Sequence, residues 1–223
     1  MTELEFSKTI AEKLSLSGYI TKTEVDSGYG VADIVGLKIN YKRIRKRENY
    51  MQVNELESEN YFKVLELITE NRKKPSSFED IINYVGLSKG YLKSRIIKQL
   101  IKGHFIKEID KHFYIKVNGW APLSNNIIAI ESKLSDWKRG LVQASRYKTF
   151  ANRVYLALPS NKIHLVPINE LIKSNTGLIT LKHGTIQFIH RPLKQKDEII
   201  SSKQNYVCEY FWNDMLKVLS NNF

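Results

Sequence analysis

The chain reads as an α/β protein, a mixed sheet flanked by helices, carrying a small second domain of helices and a hairpin. Three observations lead there. Short β-branched runs such as Ile127-Ile128-Ala129-Ile130 alternate along the chain with apolar residues at helical spacing. The 223 residues suffice for one core of ordinary size plus a small domain. From residue 60 to 118 the pattern changes to three closely spaced helical stretches followed by two alternating ones.

Taken in order, Phe6, Ile10, Ala11 and Leu14 give one apolar face and predict a helix over 3–16, ended by Gly18. Strands follow over 19–25 and 31–41, joined by the turn signal Asp26-Ser27-Gly28-Tyr29-Gly30. Lys42-Arg43-Ile44-Arg45-Lys46-Arg47 is then either a solvated tether or a grip on phosphates, with Arg43 and Arg45 in the second role. Residues 48–60, polar and acidic, read as a linker.

Tyr61, Phe62, Leu65 and Ile68 share a helical face, broken by Lys73-Lys74-Pro75. Ser76 with Glu79 forms a capping box for a short helix bearing Ile81, Ile82 and Val85. Ser88 caps a longer helix, 89–102, which Gly103 closes, and a hairpin turns at Asp110-Lys111. A buried strand over 126–134 precedes a helix containing Trp137, Leu141, Ala144 and Ala151. Arg139, Gln143, Arg146 and Tyr147 lie along that helix as a polar stripe. A strand at 153–159, parallel to the buried one, a short helix near Asn169 and a hairpin around Lys182-His183-Gly184 come next. An amphipathic tail helix over 209–219 covers the core or meets a dimer partner.

The formal charge of +12 points to a polyanionic partner, nucleic acid above others because the cations cluster. No run approaches the ~20 apolar residues of a membrane span, the start Met1-Thr2-Glu3-Leu4-Glu5 is acidic, and Cys208 is alone. A cytoplasmic protein without membrane contact is expected.

The most informative residues are Glu131, Ser132 and Lys133 in the buried strand. Alternation puts Glu131 and Lys133 on one face and Ser132 on the other. Asp33 interrupts a second apolar strand in the same way. Two strands bringing carboxylates to one edge, with an ammonium beside them, make a hard oxygen-donor site for a divalent cation. The plainer alternative is an ion pair at a strand end.

These residues resemble the signature of the PD-(D/E)XK nuclease superfamily, an Asp on one strand and Glu-x-Lys on the next. Ala32 stands where that signature has Pro. Gln143 and Tyr147 are similar to the Gln-x-x-x-Tyr element of RecB-like members. The resemblance implies a restriction-endonuclease-like core, Mg²⁺ (Mn²⁺ substituting) on Asp33, Glu131 and the Ser132 carbonyl, and catalytic roles for Asp33, Glu131, Lys133 and Gln143. It also implies an acid from the first helix: Glu3, Glu5 or neither. Residues 60–118 resemble a winged helix-turn-helix, which implies DNA contacts by Lys89, Tyr91, Lys93, Ser94, Arg95, Lys98 and Lys111, with Arg139 and Arg146 from the core.

The expected organisation is a discontinuous core, 1–52 and 119–200, interrupted by the winged helix 60–118 and followed by a C-terminal helix within 201–223. The separation of Asp33 from Glu131 is then an insertion within a strand pair. The function implied is a metal-dependent DNA endonuclease of restriction, defence or mobile-element type. An inactive DNA-binding regulator and a junction resolvase stand as alternatives, with a homodimer or a specificity-giving protein partner left open.

Overall fold

The computed structural model describes residues 1–28, 30–117 and 120–220, the side chains of 217–220 excepted. Tyr29 of the first turn signal and the end of the tail therefore lie outside the described residues. The chain is α/β and forms two compact units, 1–39 with 124–207, and 40–123 with 208–223.

The first unit opens with α1 (Glu3–Ser15), whose capping box pairs Thr2 with Glu5 and whose chain reverses at Gly18 (φ +80°). Strands β1 (Ile20–Asp26) and β2 (Val31–Leu37) pair as an antiparallel hairpin. Here the chain departs for the second unit.

That unit begins with α2 (Tyr41–Asn49), so the expected strand over 31–41 stops at Leu37 and the basic run is helical rather than a solvated tether. Helical spacing puts Ile44 and Arg47 on one inward face, and both are fully buried. The expected linker is docked chain: Gln52 and Leu56 are buried, and the Trp212 indole N–H donates to the Val53 carbonyl at 2.6 Å. A polar segment looks like a linker until its few apolar residues find a surface far along the chain.

Next come α3 (Glu59–Leu67), β3 (Ser76–Ser77) and α4 (Phe78–Val85). The capping box falls one residue later than expected, Ser77 with Asp80, because α4 starts at Phe78 and its N-cap is Ser77. Gly86 (φ +67°) ends α4, and Ser88 caps a continuous helix of α5 (Lys89–Tyr91), a π-wound turn (Leu92–Ile97) and α6 (Lys98–Lys102). Strands β4 (Ile106–Asp110) and β5 (Phe113–Lys116) complete a three-stranded antiparallel sheet of order β3-β5-β4.

Back in the first unit, β6 (Ile127–Ser132) is buried along its whole length. The helix α7 (Trp137–Arg146) is shorter than expected, and Ala151 lies beyond it. Strand β7 (Arg153–Ala157), helix α8 (Ile168–Lys173) and the hairpin β8 (Gly177–Lys182) and β9 (Thr185–His190) follow. The sheet order is β1-β2-β6-β7-β8-β9, with β6, β7 and β8 parallel and the outer pairings antiparallel. Its faces are both covered. Tyr155 and Ala157 pack with Phe6, Ile10 and Leu14 of α1, while Leu156 and Leu158 pack with Leu141 and Leu171 of α7 and α8. The tail is two helices: α9 (Ser201–Glu209), which precedes the expected one, and α10 (Trp212–Ser220), which starts three residues later than the expected helix over 209–219.

Candidate functional site

The segment between β2 and β6 is a loop of the first unit large enough to be a domain, yet the strands flanking it are hydrogen-bonded neighbours. Ile34 pairs with Ile130, Val35 with Ala129 and Leu37 with Ile127. Antiparallel pairing then sets Asp33 beside the end of β6, and the Ser132 backbone N–H donates to Asp33 Oδ2 at 2.7 Å. Residues 33 and 131 thus meet, although a folded unit separates them in the chain.

Glu131 is 1 % exposed. Lys133 Nζ lies 2.6 Å from Glu131 Oε1, and the Tyr147 hydroxyl donates to Glu131 Oε2 while standing 2.9 Å from the Val31 carbonyl oxygen. Glu3 arrives from the start of α1: Oε1 accepts the Leu134 N–H at 3.2 Å and Oε2 is 3.6 Å from Lys133 Nζ. Of the two acids at that helix start, Glu5 is committed to the cap and Glu3 joins the cluster. Tyr147 belongs to the site rather than to a polar stripe, since it is 1 % exposed.

Helix α7 holds the lysine stem closely. A Cβ at Gly140 would meet Lys133 Cγ at 3.0 Å and Leu156 Cδ1 at 2.6 Å, so only glycine lets the helix approach this near. One turn on, Gln143 keeps its Oε1 buried with no hydrogen-bond partner. Ser132 Oγ is likewise buried and unpartnered.

Three carboxylates around one ammonium leave the cluster negative. Burial, then the Glu131 charge against the opposing pull of the Ser132 N–H, raises the Asp33 pKa to about 6. Burial opposes the charged form of Lys133, but its hydrogen bond to Glu131 and the charges of Glu131, Asp33 and Glu3 outweigh it and raise the pKa. Burial and the Glu131 contact push the Tyr147 phenol up, so it stays a donor.

Glu24 is a member that sequence reasoning passed over. It stands across from Asp33 where the β1–β2 ladder skips a pair, at φ 55°, a region unusual for a residue with a side chain. With Glu3, Leu4, Ser7 and Asp33 it lines a cleft of about 110 Å³. No signal in the sequence marks it; Glu24 reads as an outward residue of an edge strand.

The remaining expected residues fall in two places. Arg139 and Arg146 are exposed on α7, and Arg146 Nη1 lies 3.7 Å from where a Gly30 Cβ would be, over the β1–β2 turn. In the second unit Lys89, Tyr91, Lys93, Ser94, Arg95 and Lys98 are all exposed, as is Lys111 between β4 and β5. Lys89 pairs with Glu79 at 3.0 Å, and the Ser94 hydroxyl turns back to the Gly90 carbonyl. Arg43 donates to the Pro122 carbonyl at 3.0 Å, whereas Arg45 is exposed.

No protein-family model matches the chain, and no curated protein matches it. Among solved structures it is similar to a protein of unknown function from Silicibacter pomeroyi, at 12% identity and a TM-score of 0.46, over 98% of this chain and 90% of that one. Among the described residues no helix is long and apolar enough to cross a membrane. Nor does any group of three His, Cys, Asp or Glu residues there stand as a ready-made metal cage.

Proposed function

We propose that the chain is a metal-dependent DNA endonuclease of PD-(D/E)XK type whose second unit is a DNA-binding winged helix. The observation that carries this is the meeting of Asp33, Glu131 and Lys133 across β2 and β6. A fold gains no stability from crowding Glu3, Asp33 and Glu131 around one lysine, and the raised Asp33 pKa records the strain. The donor set suits a hard divalent cation, because hard oxygen donors and uncompensated negative charge are what such an ion requires.

Asp33, Glu131 and the Ser132 carbonyl would hold Mg²⁺ or Mn²⁺. Such an ion polarises phosphate and acidifies its water. The chain's own groups do the rest. Lys133, kept cationic by Glu131 and Glu3, presents its ammonium to the attacking water or to charge growing on the phosphate. Tyr147 fixes the Glu131 carboxylate, and Gln143 offers an amide one turn away. In the second unit, residues 88–107 carry six Lys or Arg and one His without an acid, the charge pattern of a helix that enters a DNA groove.

The deciding assay incubates the chain with supercoiled, linear, single-stranded and junction DNA in Mg²⁺, Mn²⁺ or EDTA. Cleavage with metal and none in EDTA is expected, with Lys133→Ala strongly impaired. DNA binding without cleavage of any substrate in either metal would overturn the enzyme reading and leave a regulator; cleavage confined to junctions would make it a resolvase.

A further inference from the structure

A second cleft opens on the α1 face of the sheet, at the end away from the acid–lysine cluster. Its volume is about 290 Å³, near the lower end of the ~300–1,000 Å³ typical of small-molecule pockets. Helix α1 measures the separation: Glu3 at its start touches Lys133, and Tyr19 beyond its end lines the cleft, so the two places lie roughly 20 Å apart at 1.5 Å per helical residue.

The lining combines two chemistries. Tyr19, Tyr155 and Phe188 supply rings, and Lys38, Arg153 and Arg191 supply cations, with no carboxylate among the lining residues. None of these three cations has an acidic partner within 4 Å among the described residues, unlike Arg47, Lys89 and Lys133 elsewhere. Two of them instead rest on aromatic faces: Arg191 sits 3.9 Å from the Phe188 ring centroid and Lys38 5.0 Å from that of Tyr19. Tyr155 and Phe188 meet edge to face at 5.6 Å, a rigid floor. Asn126, at the rim, keeps its side-chain oxygen buried and without a hydrogen bond.

Unpaired cations call for an anion, and an aromatic floor with a guanidinium plane calls for a flat π-system. An unsatisfied amide calls for a polar edge. One ligand class carries all three. We propose that this cleft binds a single nucleotide, its phosphate on Arg153, Lys38 and Arg191, its base stacked on the Phe188–Arg191 pair with its edge toward Asn126. The nucleotide is free in solution or is the terminal residue of a strand.

Calorimetric titration of the full chain at low salt tests this with dAMP, deoxyadenosine, inorganic phosphate and a 5′-phosphorylated oligonucleotide too short to form duplex. Saturable 1:1 binding of dAMP or the oligonucleotide is expected, with deoxyadenosine and phosphate each about tenfold weaker or more. Arg153→Gln and Phe188→Ala should each weaken binding about tenfold. Arg191→Gln, an exposed position, gives the same reading should the ring variant fail to fold. Tighter binding of dAMP assigns the free nucleotide; tighter binding of the oligonucleotide assigns the strand end. Asp33→Asn should bind nucleotide as the parent does, which keeps this result separate from any failure of cleavage. The proposal is overturned by the absence of saturable binding, by phosphate binding as tightly as dAMP, or by variants that bind like the parent.

Discussion

Two buried ion pairs, one in each unit, show how differently the same chemistry can be set. Arg47 and Glu209 are closed on themselves. Both guanidinium ends meet the carboxylate at 2.8 and 2.9 Å, two further N–H groups go to the Gln52 and Asn54 carbonyls, the Leu56 N–H donates to Glu209 Oε1, and Trp212 stacks at 3.8 Å. Each side-chain nitrogen and oxygen of the pair has a partner there. Glu131 and Lys133 are open: two more acids crowd them, Asp33 is driven toward its neutral form, and polar atoms of Ser132 and Gln143 are left over. A closed pair fastens a helix; an open one leaves charge and polar atoms uncompensated, which the proposed cation would offset.

The contrast breaks most visibly at Arg47. Arg47→Ala strands a buried carboxylate and should cost about 3–5 kcal/mol in chemical denaturation; a loss below 1 kcal/mol would put the two pairs in the same class. On the open side, Lys133→Ala should slow plasmid cleavage about 10²- to 10³-fold, about 3–4 kcal/mol of barrier; it too strands a buried carboxylate, but one that the Tyr147 hydroxyl still holds, so the denaturation midpoint should fall less than in Arg47→Ala. If that variant instead unfolds as Arg47→Ala does, Lys133 is a structural partner.

Asp33 sharpens the comparison through pH. Its raised pKa favours the fold most below the ordinary carboxylate range, and that advantage is lost as pH rises through about 6. At pH 8 without metal, Asp33→Asn should therefore be more stable than the parent by about 1 kcal/mol, with the gap closing in acid. Mg²⁺ should raise the parent's Tm more at pH 8 than at pH 5 and leave the variant's nearly unmoved. Equal shifts in both proteins would remove Asp33 from the cation. The smallest effect belongs to the exposed cations of the second unit. Lys93→Ala or Arg95→Ala should lower the slope of log K against log salt for duplex DNA by about 1 each, and an unchanged slope would take that helix off the phosphates.

Legibility from the sequence followed the range of the forces involved. Strand β6, the apolar face of α1 and the Ser88 cap were readable because period, propensity and capping act within a few residues. The basic run misled for the converse reason. Nothing near Arg47 marks it for burial, since its carboxylate stands 162 residues away. Glu24 was illegible because nothing in the local sequence marks a glutamate for a left-handed φ or for a place across from Asp33.

Composition and pattern by themselves determined an α/β chain of strong positive charge, with a helix-and-hairpin segment set between two carboxylate-bearing strands. What remained for the tertiary structure was which charges meet. Pairing of β2 with β6 decided that Asp33 shares a site with Glu131, and α1 packing decided for Glu3 over Glu5. Side-chain alternation is a property of each strand alone, but the juxtaposition of two strands across an inserted unit depends on burying their apolar faces together.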